Sequence, residues 1–351
     1  MNQERKFHPR FFHVGHNGKL KALESIDAAL AVLNGAGAGY VWFDFLDPLR
    51  EDLEPLIHPL CLHPLAIEDC IDEEQVPKID DFPTNTFILF NSYDYIDNTL
   101  VIDEINFFLG KNFLVSVHHC HTGIKDFFEK LDEAVARDLV NLRRGPDFLL
   151  HVILDYVVDR KFKAIEAIQE EIDGAEEIIL QSPSSFKPES VLRLRKSLLS
   201  LRKSLFHERE VMVRVCRRDS PFITEKSIYH YRDIYDHLAK FFEAIEIYRE
   251  MITSLMEMYL SMLNNRMTRV ANRTNQVVRR LTLINTIFMP LTLLAGIGGM
   301  SEWSMMTGPE NWSIAYPLFL VLMLVLGVVN YFALKVFEAK DRREADSELE
   351  E

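Results

Sequence analysis

Basic charge is in deficit: 39 Lys and Arg stand against 53 Asp and Glu, a formal net charge of -14. Nucleic acid needs a basic face, so no nucleic-acid partner is expected. An acidic body suits a protein that meets cations, and equally suits plain solubility. Cysteine is scarce. Cys61, Cys70, Cys120 and Cys216 form no CxxC pair and no disulfide-like spacing, which reads as reduced cytosolic thiols. The opening MNQERKFHPRFF has no apolar core segment of a secretory leader, so membrane targeting is expected from elsewhere in the chain. There is no phosphate loop, no nucleophile elbow and no metal-hydrolase spacing, and an enzyme is not expected. Charge is missing altogether from Leu281 to Met300, LTLINTIFMPLTLLAGIGGM. That run is long enough for a helix to cross the ~30 Å hydrocarbon core of a bilayer. A second such run, Tyr316 to Val336, follows after a short loop.

What is present before these runs divides in two. Residues 1–145 mix strand and helix patterns: a helix over Lys21–Leu33, a strand over Tyr40–Phe45, short helices over Asp52–Ile57 and His63–Cys70, strands over Thr86–Tyr95, Glu104–Leu109 and Phe113–His118, then a helix over Asp126–Arg137. This interleaving predicts a small cytoplasmic α/β layer domain. Residues 146–224 read as two long antiparallel helices, Asp147–Leu180 and Pro188–Arg218, joined by a turn at Pro183. From Glu225 no proline occurs until Pro290. A stalk helix over 225–280 that runs on into the span would measure ~105 Å at ~1.5 Å per residue. A rod of that length is expected to link the soluble part to the bilayer and to pack against copies of itself. Within it, Asn265–Ala271 is echoed by Asn272–Val278, an offset of two helical turns that keeps one face aligned.

Arg266, Arg269, Arg273, Arg279 and Arg280 precede the first span, 281–300, and Lys335, Lys340, Arg342 and Arg343 end or follow the second, 316–336. The loop 301–315 has no Lys or Arg but carries Glu302 and Glu310. The positive-inside rule puts both termini, including the acidic tail 337–351, in the cytoplasm and the loop outside, where Trp303, Trp312 and Tyr316 suit the interface. A polar stripe runs along the first span and not the second. Asn275, Val278, Leu281, Asn285, Met289 and Thr292 share one helical face, with no carboxylate among them. Polar side chains in a membrane helix face protein or water. The stripe either hydrogen-bonds between helices or, with several copies around an axis, lines a pore. Amide, hydroxyl and carbonyl oxygens can hold a cation through its water shell, while Val278, Leu281 and Met289 can gate by dewetting. Gly296, Gly298 and Gly299 allow close helix approach or expose carbonyls at the outer mouth.

These residues resemble the CorA family of divalent-cation channels. TIFMPLTLLAGIGGM is similar to that family's TIFMPLTFIAGIYGMN; HPLAIEDCIDEEQVPKID, EINFFLGKNFLVSVH and YRDIYDHL extend the likeness along most of the chain. The resemblance implies a membrane α-helical, homopentameric funnel in a bacterial inner membrane: an N-terminal cytoplasmic α/β domain, a long helical stalk lining the pore, and two C-terminal transmembrane helices, the second facing lipid. It implies passive transport of hydrated Mg²⁺, with Co²⁺ or Ni²⁺ as further substrates. It also implies cytoplasmic metal sites that hold the channel closed, at Glu68, Asp69, Asp155 and Asp233. The signature departs at Gly298-Gly299-Met300-Ser301, where Gly replaces Tyr and Ser replaces the entrance Asn. That change, with the Cys and His residues, leaves open a zinc or transition-metal transporter similar to the ZntB branch. A non-conducting membrane scaffold or metal sensor is the alternative of another class. His118, His119, Cys120 and His121 cannot all ligate one ion from a strand end without a bend. His58, Cys61, His63 and Cys70 are soft enough for zinc, although His63-Pro64 belongs to the family's ordinary turn.

Overall fold

The structure, a computed structural model, describes residues 9–35, 39–72, 75–119, 124–299 and 308–347. It divides into two compact units, one ending at Tyr259 and the other beginning at Leu260.

The first unit is built on a seven-stranded sheet in the order β2-β1-β3-β7-β6-β5-β4. The strands are β1 (Arg10–Gly15), β2 (Leu20–Leu23), β3 (Gly39–Leu46), β4 (Lys78–Asp81), β5 (Asn85–Ile96), β6 (Thr99–Gly110) and β7 (Phe113–His118). Only β3 and β7 pair in parallel. Side chains alternate across β3, as a strand's period of two requires. Val41, Phe43 and Phe45 enter one core with Leu53, Leu56 and Leu60 of helix α2 (Arg50–Leu60) and Ile67 of α3 (Pro64–Asp69). Trp42 and Asp44 turn to the opposite face. There Asp44, 2% exposed, accepts bonds from Arg10 Nη2 at 2.6 Å, Ser116 Oγ at 2.6 Å and His118 Nε2 at 2.8 Å. Burial pushes its carboxyl up, but His118, Arg10 and Ser116 outweigh burial and hold it below the usual range.

The stretch expected as one helix over Lys21–Leu33 is two elements. Leu20–Leu23 pairs with β1, and helix α1 (Ile26–Asn34) starts only after Ser25, whose hydroxyl accepts the Ala28 amide. An N-cap at Ser25 stops helix propagation upstream, and a neighbouring strand supplies the alternative partners. Strand β6 also begins earlier than expected. Asp97 and Asn98 both take positive φ, 49° and 59°, in a two-residue turn between Ile96 and Thr99, the geometry that suits a right-twisted hairpin.

Four helices follow: α4 (Ile124–Arg137), α5 (Leu139–Leu142), α6 (Pro146–Gln181) and α7 (Pro188–Cys216). α6 packs on β5, so the helices within 146–224 belong to the same compact unit as the sheet. Its centre carries Lys161, fully buried against Glu208 of α7, with its Nζ 4.0 Å from the Phe90 ring centre. Glu208 also accepts the Asn91 amide at 3.0 Å and the Tyr93 hydroxyl at 3.2 Å. The next helix, α8 (Ile228–Gly298), begins in this unit, where it is tied to the start of α6. Asp147 Oδ2 accepts from Thr224 N and Oγ1 and from Ser227 Oγ at 2.6–3.0 Å, and Tyr231 Oη donates to the Asp147 carbonyl at 2.6 Å.

Candidate pore face and cytoplasmic acidic residues

The second unit holds α8 from Leu260 onward and α9 (Trp312–Ser347), which follows a 3-10 turn at Pro309–Asn311. Among the described residues two helices are long and apolar enough to cross a membrane, and none of either apolar window is buried. Leu281 is 57% exposed, Met289 71% and Leu318 68%, which water would not tolerate over so large a surface.

α9 covers one side of α8. From Leu281 onward, the half-buried positions on α8 are Leu283, Ile287, Pro290, Leu291, Leu294 and Gly298. Their spacing is one helical stripe, and direct contacts identify its partner. Leu291 lies against Gly327, Gly298 faces the Phe319 ring, and Asn330 Nδ2 donates to the Thr286 carbonyl at 3.3 Å. At roughly 100° per residue, Val278, Leu281, Asn285, Met289 and Thr292 fall on the far side from that stripe, and Asn275 within the same half. All six are exposed, and Asn285, Met289, Thr292 and Gly296 line a shallow groove.

Gly298 does not share that face. A Cβ added to it would meet Phe319 Cζ at 2.8 Å, so this glycine serves close approach of α9. Gly299 ends α8, its amide bonded to the Ala295 carbonyl at 3.0 Å. Glu310 is exposed in the 3-10 turn, and Met300, Ser301 and Glu302 lie outside the described residues. Asn330 was missed by sequence reading. As the one amide in the apolar run Tyr316 to Val336, it needs a partner in lipid and takes one on α8.

The oxygen chemistry of the free face is specific. Thr292 donates its hydroxyl proton to the Phe288 carbonyl at 2.8 Å, so its oxygen is left as an acceptor. Asn285, two turns earlier on the same face, carries an amide oxygen. Water bound to a cation points its hydrogens outward, and acceptors are what such a shell needs.

In the first unit, Glu68 is exposed and Asp69 is paired with Lys78 at 2.6 Å. Asp155 on α6 is half-buried, and burial first, then Asp159 and Asp233, raise its carboxyl above the usual range. Asp233 on α8 is exposed, with His237 Nε2 3.7 Å away. Among the described residues no three His, Cys, Asp or Glu side chains converge to hold a metal within one protomer. His118 is committed to Asp44, His119 Nε2 donates to the Cys70 carbonyl at 2.6 Å, and His63 caps α3. Cys120 and His121 lie outside the described residues.

Comparison with known proteins bears on the family and the architecture. The CorA profile, described as a CorA-like Mg2+ transporter protein, matches residues 37–336. The chain belongs to the CorA family. It is 33% identical over 273 residues to the cobalt/magnesium transport protein CorA of Thermotoga maritima, covering 76% of this chain and 74% of that one. The complete structure of the CorA magnesium transporter from Methanocaldococcus jannaschii superposes with a TM-score of 0.68 at 21% identity, covering 94% of this chain and 98% of that chain. The ZntB cytoplasmic domain of Vibrio parahaemolyticus shares the fold at a TM-score of 0.54 and 11% identity, covering 73% of this chain and 98% of that one. The architecture expected from sequence is therefore that of CorA: an N-terminal α/β domain, a long helix and two C-terminal apolar helices.

Proposed function

We propose that this CorA-family chain forms a homopentamer in a bacterial inner membrane, with both termini cytoplasmic, and conducts hydrated Mg²⁺ through a pore lined by α8. Co²⁺ and Ni²⁺ are further substrates. The observation that carries this reading is the pairing of α9 with one side of α8. It leaves Asn285, Met289 and Thr292 uncovered on the other. A polar, acceptor-rich face opposite the lipid-facing helix is what a ring of copies would turn inward around water. The driving force is the membrane potential, ~2.3 kcal/mol per charge per 100 mV and twice that for a divalent ion.

Flux into liposomes, measured in parallel for Mg²⁺, Zn²⁺, Co²⁺ and Ni²⁺, tests the reading. Mg²⁺ uptake is expected. Zn²⁺ uptake without Mg²⁺ would favour the ZntB-like alternative, and no flux of any ion the scaffold.

Gating by cytoplasmic metal rests on Glu68, Asp69, Asp155 and Asp233, completed across subunits. The raised Asp155 carboxyl supports it: repulsion among Asp155, Asp159 and Asp233 is relieved by a proton or by a cation. An acid raised in the folded state stabilises most below its ordinary value and loses that contribution as pH rises through the folded value. Asp155→Asn is therefore expected to raise the metal-free thermal midpoint at neutral pH by about 1–3 °C, and to reduce the further rise produced by Mg²⁺. An unchanged Mg²⁺ increment in a melting experiment would remove Asp155 from the site. Asp233→Lys places a fixed cation at the exposed α8 position and is expected to weaken Mg²⁺-dependent closure about tenfold, read as the cytoplasmic Mg²⁺ needed to halve flux. An identical metal response would exclude Asp233 from the sensor.

A further inference from the structure

A crevice of about 450 Å³ lies between helix α7 and the sheet at β5 and β6. We propose that it binds a small phosphorylated molecule carrying a hydrogen-bond donor at its other end, of the size and chemistry of a nucleoside monophosphate.

One wall is a polar stripe on α7. Ser200, Lys203, Ser204 and His207 stand at i, i+3, i+4 and i+7, a single helical face. Elsewhere α7 turns Leu194, Leu198, Leu201, Leu205 and Met212 inward, all fully buried. On the polar stripe Ser204 is buried, His207 half-buried, and Ser200 and Lys203 are exposed, so the stripe runs from the crevice floor to its mouth. Lys203 has no carboxylate partner among the described residues. Ser200 and Ser204 bring hydroxyls beside it. Lysine, imidazole and two hydroxyls on adjacent turns suit a phosphate oxygen set.

The opposite wall has different chemistry. Asn91, 5% exposed, donates from Nδ2 to Ser204 Oγ at 2.6 Å, while its Oδ1 has no hydrogen-bond partner. In this orientation the amide leaves its oxygen unsatisfied. That state costs about 1–3 kcal/mol, which a ligand donor would recover. Glu104 shares this end and accepts the Gln75 amide at 2.5 Å. Its charge directs an anion to the Lys203 end and a donor group to its own. Val76, Pro77 and Ile102 supply an apolar surface for a flat ring. The volume lies within the range of small-molecule sites, and the combination of a few convergent polar groups with an apolar wall is their usual composition.

The probes are AMP and inorganic phosphate, titrated into the full-length protein in detergent and followed by its thermal midpoint. AMP is expected to raise the midpoint saturably at millimolar concentration, and phosphate to do so more weakly. Lys203→Met removes the cation, and Ser200→Trp fills the cavity from an exposed position without changing charge. Each is expected to weaken the AMP response about tenfold or more while leaving the ligand-free midpoint and Mg²⁺ flux near the parent values. No saturable AMP response, a response retained in both variants, or equal stabilisation by phosphate and AMP would overturn the proposal.

Discussion

Liposomes containing Asn285→Leu are expected to take up Mg²⁺ at about one hundredth of the parent rate. Asn285 sits in the middle of the α8 face that α9 leaves open, between Leu281 and Met289. In the assembly proposed above, each copy offers an amide oxygen to the water around a passing cation. Hydrogen bonds of this charge-assisted kind are worth roughly 1.5–3 kcal/mol each. Losing the equivalent of two raises the barrier by about 3 kcal/mol, or two decades in rate. Leucine also adds a further apolar constriction between Leu281 and Met289, which favours dewetting. Asn285→Thr keeps an acceptor oxygen and is expected to retain measurable flux. Leu283→Val, on the α9 side, is expected to conduct normally. Normal flux through a correctly assembled Asn285→Leu protein would show that this face does not meet the ion.

The largest stability effect is expected at Lys161. Burial pulls its ammonium down to about 8 and pushes the Glu208 carboxyl up. Both shifts share burial as their leading cause, and both say that desolvation outweighs the attraction between the pair. Lys161→Met removes the cation and leaves a carboxylate among Phe90, Tyr93 and the helix α6–α7 contact. Breaking a buried pair from one side costs about 3–5 kcal/mol, which corresponds to a fall of roughly 6–20 °C in the midpoint of the first unit. The double variant Lys161→Met, Glu208→Gln is expected to recover more than half of that loss. Its neutral amide still accepts from the Asn91 amide and the Tyr93 hydroxyl. Thermal denaturation followed by circular dichroism distinguishes the outcomes. A single variant within a degree of the parent would mean that the pair carries no cost of separation.

Neither residue is announced equally by the chain. Asn285 is visible in sequence because an amide in a charge-free run stands out, and its spacing to Thr292 assigns a face. Lys161 and Glu208 are one lysine and one glutamate among many on long helices, where such residues are most often solvated. Nothing in a spacing of 47 positions shows that the two side chains meet beside the same strand. The same limit applies to the crevice. Its stripe, Ser200 to His207, has readable helical spacing, but a polar stripe is ordinarily a solvated face. Asn91 and Ile102 are brought opposite it only by the sheet.

Local pattern alone determined much of this protein. The two charge-free runs, the α6–α7 turn near Pro183, four of the seven strands of the α/β domain (β3, β5, β6 and β7) and the polar stripe follow from periodicity and composition. These depend on residues within a few turns of one another. Tertiary structure decided the rest. Pairing with β1 turned Leu20–Leu23 into a strand. Contact with Phe319 puts Gly298 on the α9 side, and Asn330 takes its partner from the Thr286 carbonyl of α8. Each of these depends on contacts between distant segments, where the free energy of burial and of satisfied hydrogen bonds outweighs local preference.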